Sequence, residues 1–179
     1  LPGVPSLTKR QDQSQDLSVT HQFLSDNNVD LIINVVDATQ LKRQLYLTTQ
    51  ILELGLPVLL VLNKADRKEA PAINTDKLAE ILGCMVIKTN SLSSIVKDDI
   101  EQAISVLPLK TTKPRSLKVA ENISQVLGDK SLLAYEQELQ ADCQCQTSNV
   151  NVLSIMQARY EFIQHTLSQV QIQQAHQES

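Results

Sequence analysis

Five consecutive apolar residues, Val58-Leu59-Leu60-Val61-Leu62, run straight into the polar set Asn63-Lys64-Ala65-Asp66. A strand without polar alternation has no face to give to water, so it belongs in a parallel sheet covered on both sides. The neighbouring sequence keeps to that plan. Leu31 to Val36 reads as a strand rich in β-branched residues, and Leu41 to Leu54 as a helix that stops before Gly55. Strand 57–62 is followed by a helix near 75–82 stopped by Gly83, a strand at 85–89 and a helix near 98–107. Alternation this regular predicts an α/β three-layer fold with right-handed crossovers. Ligands of such sheets sit beyond the carboxyl ends of the strands, which puts Asp37, Asn63 to Asp66 and Asn90-Ser91 along one edge.

The flanks have a different texture. Residues 1–8 read as loop, because Pro2 and Pro5 disfavour helix, and a short helix near 15–26 follows, with Leu17, Thr20 and Leu24 on one side. Leu109 to Pro114 reads as a linker. No strand signal follows it; helices are expected near 116–127, 131–140 and 152–172. In the last, Leu153, Met156, Tyr160, Ile163, Leu167 and Val170 recur at three- and four-residue steps, the mark of a packing face. The chain thus divides into an α/β part at 1–108 and a small all-helical domain at 109–179.

Composition removes several function classes. The 179 residues carry a net charge of −4, which offers no basic field to nucleic acid or anionic lipid. Three cysteines, Cys84, Cys143 and Cys145, form no four-ligand pattern, and no apolar run reaches the ~18 residues that span a bilayer. A reducing cytosolic setting is expected. Cys143 and Cys145 read as two ordinary thiols ahead of a metal or redox pair, and His21, His165 and His176 are scattered. Asp37, with Thr39 close by, reads as a cap for the helix near Leu41 ahead of a cation ligand.

The chemistry of the polar set is more specific. A carboxylate at Asp66 can accept from both the N1–H and the exocyclic amino group of guanine. Adenine lacks that donor pair and would leave a desolvated acceptor unpaired, at a cost of ~1–3 kcal/mol or more. Lys64 can lay its methylene stem along the base, and Asn63 can hold the loop through backbone bonds. A backbone N–H near Ser91 or Leu92, one crossover later, can donate to the guanine O6. Each of these residues also has a plainer reading as a turn or helix cap.

Longer matches accompany the motif. Asn63-Lys64-Ala65-Asp66 resembles the guanine-recognition motif of P-loop GTPases. Leu1-Pro2-Gly3-Val4-Pro5-Ser6-Leu7 is similar to the D-L-P-G-x-Y-S-L segment of the ferrous iron transport protein B (FeoB) family, with Pro5 at the tyrosine position. The stretch from Asn34 to Thr48 resembles that family's N-V-V-D-A-x-N-L-x-R-N-L-Y-L-T, Leu52 to Pro57 its L-E-L-G-x-P, and Ala158-Arg159-Tyr160 the A-R-Y stretch of its helical domain.

The resemblance implies a partial P-loop GTPase-type sheet followed by a helical domain. It also implies GTP or GDP as ligand and a membrane-embedded iron-permeation portion of the same protein as partner, with a small regulatory iron-transport protein as a further one. The place implied is the cytoplasmic face of the bacterial inner membrane. By the same resemblance Leu1 to Thr8 begins the second switch, and the Gly3 N–H meets the γ-phosphate.

Two features depart most from the family, besides Lys64, where the family usually carries methionine, and the loop after Ser91, which lacks the glycines common there. No Gly-x-x-x-x-Gly-Lys-Ser/Thr loop occurs among Gly3, Gly55, Gly83 and Gly128, and the Mg2+ ligands expected in a complete domain are absent from the chain. The chain begins at Leu1, where the family has a preceding aspartate and earlier strands. These 179 residues alone are therefore expected neither to hydrolyse GTP nor to fold well, one strand edge lacking its neighbour. Three readings stand at this point: the nucleotide-binding part of an iron transporter, an inactive remnant or helical binding module, and an unrelated doubly wound regulator or flavin-type domain.

Overall fold

The computed structural model describes residues 5–8, 19–20, 22–24, 29–89, 95–107, 123, 125, 127–141 and 151–172. Three parallel strands form its sheet in the order β1 (Ile32–Asp37), β2 (Val58–Asn63), β3 (Met85–Thr89). Helices α1 (Leu41–Leu52), α2 (Thr75–Leu82) and α3 (Ile95–Val106) follow the strands in turn. Two more, α4 (Leu132–Ala141) and α5 (Val152–Val170), come after them. Of the helix expected near 15–26, residues 19–20 and 22–24 are helical, and the linker from Leu109 to Pro114 lies outside the described residues.

β2 takes the middle of the sheet, and its alternation sorts the layers. Val58, Leu60 and Leu62 pack with buried residues of α1, α2 and α5. Leu59 and Val61 point the other way, onto Ala103 of α3 with Met85 and Ile87 beside them. Helices on both faces make three layers, which is the environment an unbroken apolar strand requires. β1 departs from that expectation: Val36 is buried, but Ile33 and Val35 are 42% and 57% exposed. Among the described residues α3 packs on β2 and β3, which leaves Ile33 and Val35 of the edge strand open.

Local chemistry sets the element ends. Asn74 Oδ1 accepts the Lys77 N–H at 3.0 Å to open α2, with Asp76 in the first turn. Gly83 closes α2 at φ 62, a left-handed position that a Cβ would strain, and donates its N–H to the Ala79 carbonyl. Asn151 Oδ1 opens α5 by accepting from Ser154 N–H at 2.9 Å.

α5 lies along α1 and α2, and Ile163, Leu167 and Val170 join the core cluster of the sheet. Burying each such aliphatic side chain contributes ~1.5–3 kcal/mol. A second cluster of Ile123, Leu127, Leu132, Ile155 and Ala158 meets the first at Phe162. The stripe read from the sequence is therefore right from Met156 onward and wrong only at Leu153. Leu153 is 72% exposed and Ile155 is buried, because the partners of the first turn are Ile123 and Leu132. The end of α5 is tied to the loop before α2, where Asn74 N–H donates to Val170 O and Ile172 N–H to Ala72 O.

Candidate functional site

Parallel register brings Asp37 at the end of β1 beside Asn63 at the end of β2, and Asn63 beside Thr89 at the end of β3. Of the polar residues predicted at these ends, Asp37 and Asn63 thus lie side by side along the carboxyl edge, while Asn90 and Ser91 fall outside the described residues. Asn63 Oδ1 accepts the backbone N–H of Lys64 at 2.9 Å. Lys64 adopts φ 58, a conformation uncommon for a residue with a Cβ, and the turn closes with Arg67 N–H donating to Lys64 O at 3.1 Å. Ala65 packs inward against the core, and Asp66 is exposed, with no hydrogen bond or ion pair to any described residue.

The Lys64 side chain is partly exposed but has a partner. Its Nζ meets Asp37 Oδ2 at 2.6 Å. The other carboxylate oxygen of Asp37 accepts from Thr39 N–H at 2.9 Å and Thr39 Oγ1 at 2.7 Å, capping the short 3-10 turn Ala38–Gln40 that leads into α1. The hydrogen bonds from Lys64 and Thr39 hold the Asp37 carboxyl at about 2, well below the usual carboxylate range. Asp37 thus caps the 3-10 turn and not α1 itself as expected, since the N-cap of α1 is Gln40 without a side-chain cap bond, and it is a lysine partner as well. Gly3, Ser91 and Leu92, the other expected nucleotide contacts, lie outside the described residues, as do Asn90, Cys143 and Cys145. Among the described residues no group of three or more His, Cys, Asp or Glu side chains is placed to hold a metal ion.

A second polar assembly lies inside the molecule. Arg159 of α5, fully buried, donates from its terminal nitrogens to Glu53 at 2.8 and 3.2 Å and to Thr49 Oγ1 at 3.2 Å. Glu53 also accepts the Leu133 N–H, and Glu136 of α4 accepts from Thr8, Tyr46 and Gln50. Gln50 Oε1 takes Ser6 Oγ at 3.0 Å and Leu7 N–H at 2.7 Å, so the loop at 5–8 is bound into the same assembly. Burial pushes the Glu53 carboxyl above its ordinary value, against the pull of the Arg159 charge. The motif reading missed this cluster. Its trace in the sequence is a second stripe on α1, Tyr46, Thr49, Gln50 and Glu53, at three- and four-residue spacing beside the apolar one.

Comparison with known proteins agrees with the resemblance. The family model described as ferrous iron transport protein B matches residues 1–104. A curated relative, the Fe(2+) transporter FeoB of Legionella pneumophila (strain Lens), is 39% identical over 132 residues, which is 72% of this chain and 17% of the relative. The chain therefore spans about a sixth of the length of the curated relatives it matches. Among solved structures, the cytosolic domain of L. pneumophila FeoB is 31% identical with a TM-score of 0.72, the match covering 97% of this chain and 77% of that one. A GDP-bound mutant of the S. thermophilus FeoB G-domain is 27% identical with a TM-score of 0.73, covering 96% of this chain and 80% of that one. A match over more than half the chain, with the three-layer sheet and the strand-end motif in place, assigns it: the chain belongs to the ferrous iron transport protein B family.

Proposed function

We propose that this chain is the guanine-nucleotide-binding part of a ferrous iron transporter, in which the GTP state regulates iron passage through a membrane-embedded portion. The observation that carries the reading is the turn at the end of β2. Asn63 and Lys64 are engaged in holding the loop and Asp66 is left exposed at the carboxyl edge, as an acceptor for guanine must be. Solved relatives described as bound to GDP and to mGMPPNP support a guanine ligand.

In this reading Asp66 accepts from guanine N1–H and its amino group, and Lys64 covers a face of the base. A backbone N–H at Ser91 or Leu92 reaches O6, and the Gly3 N–H serves the γ-phosphate. Residues 109–179 act as the helical domain. The sequence contains no phosphate loop. The 179 residues alone accordingly turn over no GTP, and measurable turnover by the isolated chain would overturn that point.

Asp66→Ala tests the base assignment. Affinities for GDP and ADP are compared on the complete gene product, with and without the substitution. Loss of a charged acceptor removes ~1–3 kcal/mol of discrimination, or about 5- to 150-fold in the affinity ratio. Equal affinity for GDP and ADP in the unsubstituted protein would sink the reading.

A further inference from the structure

We infer that Asp37 is a positioning residue of the base site: it pins the ammonium group of Lys64 at the end of β1 and so holds the lysine stem as a fixed wall beside Asp66. The inference rests on the guanine reading above and adds to it a residue outside the four-residue motif.

Both ends of the Lys64 side chain are fixed. At the backbone end, Asn63 Oδ1 holds the Lys64 N–H at 2.9 Å while the residue sits at φ 58. At the other end Nζ lies 2.6 Å from Asp37 Oδ2. The carboxylate cannot follow a wandering lysine, because Thr39 occupies its second oxygen twice and Gln44 Oε1 accepts the Asp37 N–H at 2.6 Å. Strand register supplies the spacing, since Asp37 and Asn63 are direct partners across the sheet.

The direction of the pull matters for the ligand. In the order β1-β2-β3, the β1 side of Lys64 is the side away from β3. Drawing the ammonium toward Asp37 therefore holds the stem on the β1 side of the turn that carries Asp66. A stem already ordered has less freedom to lose when a ligand arrives, so the pair raises affinity by preorganisation. At 41% exposure for Lys64 and 16% for Asp37, the pair is partly shielded from water, and water competes for it less than for a fully open ion pair.

A double-mutant cycle of Asp37→Asn and Lys64→Met tests this on the complete gene product, with GDP and ADP as ligands. Methionine keeps a stem without the charge. Asparagine keeps an oxygen for Thr39, and Asp37→Ser, which also keeps a capping oxygen, serves as the second neutral variant should asparagine fold poorly. Asp37→Asn should weaken GDP binding about tenfold when Lys64 is present and by less than about twofold in the Lys64→Met background. Equal weakening in both backgrounds would show a merely structural cap and overturn the inference while leaving the guanine reading intact. An unsubstituted protein that does not prefer GDP would overturn both. Without any ligand, the 13C-detected titration of the Asp37 carboxyl should move up toward the ordinary range in Lys64→Met, and an unmoved titration would contradict the pairing.

Discussion

Arg159 is fully enclosed among two carboxylates and a tyrosine ring, its guanidinium carbon 5.8 Å from the centroid of Tyr46. Its Nε has no hydrogen-bond partner among the described residues, although Glu136 Oε2 stands 3.5 Å away. Removing this one cation leaves Glu53 and Glu136 as buried acids without a counter-charge. Arg159→Met should therefore cost ~3–5 kcal/mol, because the volume is kept and the charge is not. The shift of the urea midpoint measures it, and a loss below ~1 kcal/mol would mean the carboxylates simply take up protons. The residues of the strand-end site were legible in the sequence, since an apolar run that stops at Asn63, Lys64 and Asp66 announces where a strand ends. The contact of Lys64 with Asp37 was not, because it depends on strand register, and 27 residues separate the two. Arg159 was hidden for a similar reason: at its place between Met156 and Ile163 it reads as a polar interruption until α1 supplies Glu53.

Among the elements, β2, α2 and β3 were the most legible, with α2 and β3 falling on the expected residues and β2 one residue later. Their signals are local: a dense apolar run, an asparagine cap and a glycine stop. β1 has the same composition as a central strand but lies at the edge of the described sheet, and composition does not record order. Its open face borders a groove of about 750 Å3 whose lining includes Pro5, Leu7, Phe23, Ile33 and Val35 but not Asp66. An apolar edge of this kind invites pairing between molecules. Val35→Lys places a charge on the exposed face, so it should reduce self-association of the 179-residue chain in sedimentation. The stability of the monomer should change by no more than ~0.5 kcal/mol. Unchanged association would mean that the edge is not the adhesive surface.

At the scale of the molecule, the sequence suggested a division near residue 108, while the described structure joins the two sides through core and charge. Leu133, Ile163 and Leu167 share a cluster with the sheet, and Ser6, Gln50, Glu53, Glu136 and Arg159 run from the loop at 5–8 through α1 to α4 and α5. Periodicity reveals which face of a helix is apolar and not which neighbour covers it, so this junction was beyond sequence reading. Its charge balance has a consequence for pH. Two buried carboxylates face one guanidinium, and burial raises the Glu53 carboxyl above its ordinary 4.5. A group raised in the fold contributes its stability fully below the unfolded value and loses it as pH rises through the folded one. Between 4.5 and that folded value Glu53 therefore lowers stability as pH rises, by at most ~1.4 kcal/mol per pH unit. Glu53→Gln mimics the protonated acid and removes the slope. Urea midpoints measured from pH 4 upward should show the variant gaining on the unsubstituted protein above pH 4.5 until Glu53 is ionised in the fold, whatever its starting deficit. Parallel profiles would mean that Glu53 stays ionised throughout, with the Arg159 charge and the Leu133 N–H outweighing the cost of its burial.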